Sequence, residues 1–355
     1  MQEDAFKTFA IVNNNPESSA QNKTIFSRKN VVLVLLLLSV IAVFPISRFI
    51  SKNNEFQAQQ AEAAILVNTI PLENIESFGT YKGLEGGLYE GAANTPTLSQ
   101  RIHIQKQISL IKPLLENGQE DSNGKVGFLF IGDPYTEGEF QAFSEVLLKE
   151  KKADHLVLVD GSQAAQDTTY WEKSLYPWEV LKDRVESAGI ISTQVQVAWL
   201  DLNFSSYSGN LQVDIEDQAR TLNDIIKITL SKYPNIRVIY LSSPRYAGYS
   251  IDSDYQEPQA FEAAFAVRHL ISLQEESKLN YMDSVKLLKT EPALVWGPYL
   301  WNNQTNGGGN YAYGPERYEK DGITFNLIGK QKYALDLLNF WSEYEFSNTW
   351  FKASI

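Results

Sequence analysis

The 355-residue chain has no cysteine, which excludes disulfides, thiolate metal sites and thiol nucleophiles together. Histidine is scarce. His103, His155 and His269 are the only three, so any imidazole base has to be one of them. Basic residues are in the minority, 31 Lys and Arg against 43 Asp and Glu, for a formal net charge of −12. No nucleic-acid partner is expected, because neutralising phosphates requires a basic face. No phosphate-cradling loop is present either: Gly307-Gly308-Gly309 follows no strand and opens no helix. Asp252, Asp254 and Glu257 lie close together, but the glycine and distal glutamate of a calcium loop are missing. That stretch reads as a solvated acidic loop, and neither a metal nor a cofactor is expected.

What is present is a globular composition, 43% hydrophobic and 21% charged, sufficient for one large domain or two modest ones. One segment departs from it. Val31 to Ile46 is a run of sixteen residues with one Ser, one Pro and no charge, and its extension through Arg48 to Ile50 approaches the ~20 residues of a membrane span. A cleaved signal peptide is the alternative. Thirty residues precede the run, long for a signal's leading region, and the small residues at Ala58 to Ala64 lie too far downstream for its cleavage site. An uncleaved anchor over 31–50 is therefore expected. Lys23, Arg28 and Lys29 precede it against Arg48 and Lys52 after it, which places residues 1–30 in the cytoplasm and the main domain outside. Residues 53–355 hold 25 basic and 40 acidic residues, a charge that keeps a domain soluble and off anionic lipid. Residues 51–74, rich in Ala, Gln and Glu, read as a helical stalk, and 75–355 as the domain.

Within the domain, apolar runs alternate with helical patterns. The runs are Val126 to Ile131, His155 to Asp160, Val195 to Leu200, Ile236 to Leu241 and a short Ala293 to Trp296. Helical spacing predicts helices over 97–115, 136–149, 178–187, 213–232, 258–275 and 329–341. Uninterrupted apolar strands between amphipathic helices imply a parallel sheet covered on both faces. Ligands of such sheets bind beyond the strands' carboxyl ends, which directs attention to 133–136, 161–166, 201–204 and 242–249.

Six strings carry a resemblance: GLEGGLYEGAANTP (83–96), VGFLFIGDPYTEGEF (126–140), LVDGSQAAQDTTYW (158–171), LSSPRYAGY (241–249), WGPYLW (296–301) and EKDGITFNLIGKQK (319–332). In order and spacing the set resembles an uncharacterised bacterial branch of the SGNH (GDSL-type) hydrolases. The resemblance implies a three-layer αβα, flavodoxin-like α/β fold and ester hydrolysis by a Ser-His-Asp set. It also implies oxyanion donors from the nucleophile's backbone, a glycine and an asparagine. At the nucleophile's place in the Gly-Asp-Ser turn this chain has Pro134, after Gly132 and Asp133. Proline offers neither a hydroxyl nor a backbone N–H. At the base's place in the D-x-x-H string it has Thr324, with Asp321 retained as the acid. A threonine hydroxyl does not take up a proton at neutral pH as imidazole does. Gly161 and Asn203 stand for the oxyanion pair.

Other residues offer partial substitutes. Thr136, Ser162, Ser242 and Ser243 carry hydroxyls in the strand-end loops, where Ser and Thr also serve as turn and cap residues. Asp133 is either a carboxylate nucleophile or ligand, or a helix cap. The aromatics Trp296, Tyr299, Trp301, Tyr311, Tyr313 and Tyr318 either stack on a sugar or acyl chain or pack the core. Asn203 and Asn303 head glycosylation sequons. The expected function is a membrane-anchored domain with a degenerate ester-hydrolysing site that binds a small molecule, glycan or protein. The alternatives are an active esterase or deacylase with a relocated catalytic set, and a structural interaction domain whose cleft is filled.

Overall fold

The computed structural model describes residues 70–132, 138–149, 155–163, 167–204, 207–251, 256–302 and 311–352. The anchor at 31–50, most of the stalk, and Asp133, Pro134 and Thr136 lie outside them. Among the described residues no helix is long and apolar enough to cross a membrane.

Five parallel strands form the central sheet: β1 (Val126–Gly132), β2 (Leu156–Asp160), β3 (Val195–Asp201), β4 (Val238–Ser242) and β5 (Ala293–Trp296). Their order in space is 2-1-3-4-5, the flavodoxin-like order of doubly wound α/β folds. All four neighbouring pairs are parallel. The expected three-layer αβα architecture is present, and all five apolar runs became its strands.

The period-2 alternation of the strands divides the core in two. Leu129, Ile131, Ala198, Leu200, Ile239 and Leu241 face one side, where α4 (Tyr176–Ser187), α5 (Leu211–Lys232) and α6 (Gln259–Glu275) cover them. Phe128, Phe130, Val197, Trp199, Val238 and Tyr240 face the other, beneath α1 (Leu98–Ser109), α2 (Glu139–Lys149) and α7 (Leu327–Glu343). The second layer is an aromatic lattice. Trp341 of α7 meets Phe128, Trp199 and Tyr240 edge-on, with ring centroids 4.9–5.4 Å apart, a geometry that adds to the stabilisation from burial alone.

The helix starts follow capping chemistry. Thr97, Asp167, Asn210 and Asn326 each accept a backbone N–H three residues on, which satisfies donors left open in a first turn. Helix α1 ends at Ser109 rather than reaching Leu115. Leu114 leaves the helix to exchange two backbone hydrogen bonds with Lys125, and Pro113 cannot supply the N–H that continuation needs. A short helix the periodicity missed, α3 (Thr168–Lys173), lies between β2 and α4. Leu72, within the stretch read as stalk, is fully buried in the first core layer, and its N–H donates to the Tyr299 hydroxyl.

Candidate functional site at the carboxyl edge of the sheet

The strands end at Gly132, Asp160, Asp201, Ser242 and Trp296, and the expected site residues belong to the turns beyond them. Asp321 and Thr324 are brought into direct contact. One Asp321 oxygen accepts the backbone N–H groups of Ile323 and Thr324, each at 3.0 Å, and the other accepts the Thr324 hydroxyl at 2.6 Å. Burial raises the Asp321 carboxyl, but these donors outweigh it and hold it below the ordinary range. The turn is fastened to the β4 loop. The Asp321 carbonyl accepts the Ile251 N–H at 3.0 Å. Gly322 has φ +72°, and a Cβ there would stand 1.7 Å from the Tyr249 carbonyl oxygen, so only glycine fits.

Gly161 continues β2, and its N–H donates to the Phe130 carbonyl at 2.9 Å. A Cβ on it would come within 2.2 Å of that carbonyl oxygen and 2.6 Å of Leu181. The glycine is thus required by close backbone packing. Gly161→Ala should lower stability by about 1–3 kcal/mol, the cost of overpacking a dense core. Urea unfolding measures it, and a loss below about 0.5 kcal/mol would show that the strand end yields easily. Asn203 is buried, and its carbonyl accepts the Thr168 N–H at the start of α3. Among the described residues no hydrogen bond joins the Asp321 turn to Gly161 or Asn203.

The substitute hydroxyls have structural partners. Ser162 donates to Asp160 at 2.6 Å. Ser242 donates to the Pro298 carbonyl and accepts the Trp199 indole N–H. Ser243 is fully buried, and its hydroxyl has no partner among the described residues. His103 lies on α1 with its ring near the Pro292 carbonyl, just before β5. His155 precedes β2, where its carbonyl accepts the Val126 N–H. Both therefore belong to the amino edge of the sheet, away from the candidate site.

Two charged features escaped the sequence reading. Glu139, first in α2, and Arg245, three residues past β4, form a bidentate pair at 2.8 and 2.7 Å. Glu139 is wholly buried and Arg245 nearly so. The guanidinium lies 4.3 Å from the Phe325 ring centroid, a cation–π contact. Burial raises the Glu139 carboxyl while Arg245 pulls it down. The second feature corrects the expectation of a solvated acidic loop at Glu257, while Asp252 and Asp254 lie outside the described residues. Glu257 turns inward, and its carboxylate accepts the N–H groups of Ala247, the Trp301 indole and Phe261 at 2.9, 2.7 and 3.1 Å. Burial pushes it up to about 7 against those donors. Glu257, with Arg245 twelve residues before it and Arg268 eleven after, carries no sequence signal of being buried; only the fold turns it in.

No protein-family model matches the chain, and no curated protein is similar at a significant level. Solved structures are similar at low identity. A GDSL-like lipase from Bacteroides thetaiotaomicron is 10% identical with a TM-score of 0.31, over 67% of this chain and 94% of the lipase. The periplasmic domain of a lipopolysaccharide acetyltransferase from Salmonella ser. Paratyphi A is 10% identical with a TM-score of 0.33, over 69% and 97%. An extracellular lipase from Streptomyces rimosus is 11% identical with a TM-score of 0.33, over 60% and 98%.

Proposed function

We propose that this chain is an SGNH-hydrolase-like domain, carried outside the cytoplasm on the 31–50 anchor, whose ester-cleaving site has been converted to a binding site for a small molecule, glycan or protein. The observation that carries the reading is the closed turn of Asp321. In an acid–base couple the carboxylate holds an imidazole in the orientation and tautomer that accept the nucleophile's proton. Here the Thr324 hydroxyl and two backbone N–H groups occupy both carboxylate oxygens. The acid survives as the anchor of a turn. With Pro134 at the nucleophile's position, neither attack nor proton transfer has a group to perform it.

The test compares full-length wild type with a Pro134→Ser/Thr324→His double variant on short-chain nitrophenyl esters. Wild type should hydrolyse no faster than buffer. The double variant should gain measurable turnover, because fixed groups of a degraded site retain part of the catalytic machinery. Wild-type turnover that survives replacement of Thr136, Ser162, Ser242 and Ser243 one at a time would overturn the assignment of Pro134 and Thr324 as the vacated positions.

A further inference from the structure

A second concavity lies beyond the edge strand β5, between the second half of α7 and the loop that precedes α1. Its volume is about 460 Å³, within the range of small-molecule sites. It shares no residue with the Asp321 turn, and its chemistry is one-sided. Glu73, Asp336 and Glu343 line it, and none of the lining residues is Lys, Arg or His. Asp336 is engaged by Lys332 at 2.5 Å and by the Tyr313 hydroxyl at 2.6 Å. Glu343 is exposed and forms no ion pair among the described residues.

The remaining wall is aromatic. Trp296 and Tyr299 meet edge-on with centroids 5.7 Å apart, and Phe340 and Tyr344 lie 4.8 Å apart. The polar ends of the first two are taken: the Trp296 indole N–H donates to the Leu88 carbonyl, and the Tyr299 hydroxyl accepts the Leu72 N–H. Both are almost wholly buried, so the accessible ring surface comes from Phe340 and Tyr344. Tyr311 completes the wall. Burial first, and then Asp336, Glu73 and Glu343, push its phenol up, so all three carboxylates act at that ring.

Tyr89 is 3% exposed, and its hydroxyl is buried beside the Tyr344 side chain rather than open to the cavity. Aromatic faces attract cations through the ring quadrupole, and carboxylates add charge attraction. We propose that this cavity binds an organic ammonium ion of the quaternary kind. A neutral sugar would stack on the same rings but would gain nothing from the charge of the cleft.

The probe is choline, titrated calorimetrically into the full chain at matched ionic strength, beside tetramethylammonium, the neutral isostere 3,3-dimethylbutanol, and glucose. Choline and tetramethylammonium should both saturate the site, and the two neutral compounds should not. Tyr311→Leu should weaken choline binding about two- to thirtyfold, the range of one cation–π contact. Glu343→Gln, at an exposed position that does not endanger folding, should weaken it about 1.5- to fivefold, and added salt should narrow the difference. Equal binding of the isostere, a preference for glucose, an unchanged affinity in Glu343→Gln, or no saturation by choline would each overturn the proposal. Ester hydrolysis plays no part in the readout, so its outcome is independent of the reading of the Asp321 turn.

Discussion

Arg245→Met should lower the unfolding free energy by about 3–5 kcal/mol, the cost of leaving one member of a buried ion pair alone. Glu139 is the residue left behind. Its carboxylate has 0% side-chain exposure and takes both of its strong hydrogen bonds from this guanidinium. Removal of Arg245 also empties the space above the Phe325 ring, so a cavity term adds to the electrostatic one. Glu139→Gln should cost less, because a neutral amide can still accept a bond from Arg245. A double replacement, Glu139→Leu with Arg245→Met, should recover part of the loss, since two apolar groups demand no desolvation of charge. Urea unfolding followed by tryptophan fluorescence measures all three. A loss under about 1 kcal/mol for Arg245→Met would mean that water reaches the pair and replaces the lost partner. The position matters for the site: Glu139 opens α2 five residues after Pro134 in sequence, and Arg245 ties it to the loop after β4.

The second large effect depends on pH. Glu257 titrates at about 7 in the folded chain because burial disfavours its charged form. In the unfolded chain a glutamate titrates near ~4.3. Between those values the folded state binds a proton that the unfolded state has released, so stability falls as pH rises. The contribution is fully present below ~4.3 and is lost by about pH 7, a span worth roughly 3 kcal/mol for a shift of this size. Glu257→Gln should abolish that slope. Its amide oxygen can still accept from Ala247 and the Trp301 indole, while the bond from Phe261 is lost. The difference in stability between variant and wild type should therefore move in the variant's favour by up to about 3 kcal/mol from pH 4.5 to pH 8. Parallel curves for the two proteins across that range would mean that Glu257 stays ionised throughout.

The fold was legible because its strands are buried on both faces. A parallel strand under two helical layers favours apolar side chains on both faces, and runs such as VGFLFI and ALVW show that without reference to any partner. The helix ends were less so. Thr97 to Leu115 keeps helical spacing to its end, yet the pairing of Leu114 with Lys125, eleven residues downstream, wins over local propensity. Helix α3 has only six residues, too few for periodicity to register. In the candidate site, Asp321, Thr324 and Gly161 were found through their place in strings, and the roles of the last two then depended on contact. The Thr324 hydroxyl reaches its Asp across one turn, a geometry implicit in the three-residue spacing. The contact of Gly161 with Phe130 comes from a neighbouring strand and is implicit in nothing local.

The sequence by itself therefore determined the order of strands and helices, the scarcity of groups able to perform acid–base or nucleophilic chemistry, and the substitution of proline and threonine where the resembled family has serine and histidine. These are properties of composition and short-range pattern. The tertiary structure alone decided which charges lie inside: Glu139 beside Arg245, Glu257 beneath Trp301, and three carboxylates around a ring of aromatics at the edge of β5. Burial is a property of what the rest of the chain brings up against a residue. Sequence neighbours of an Asp or Glu do not reveal whether water or a guanidinium will stand opposite it.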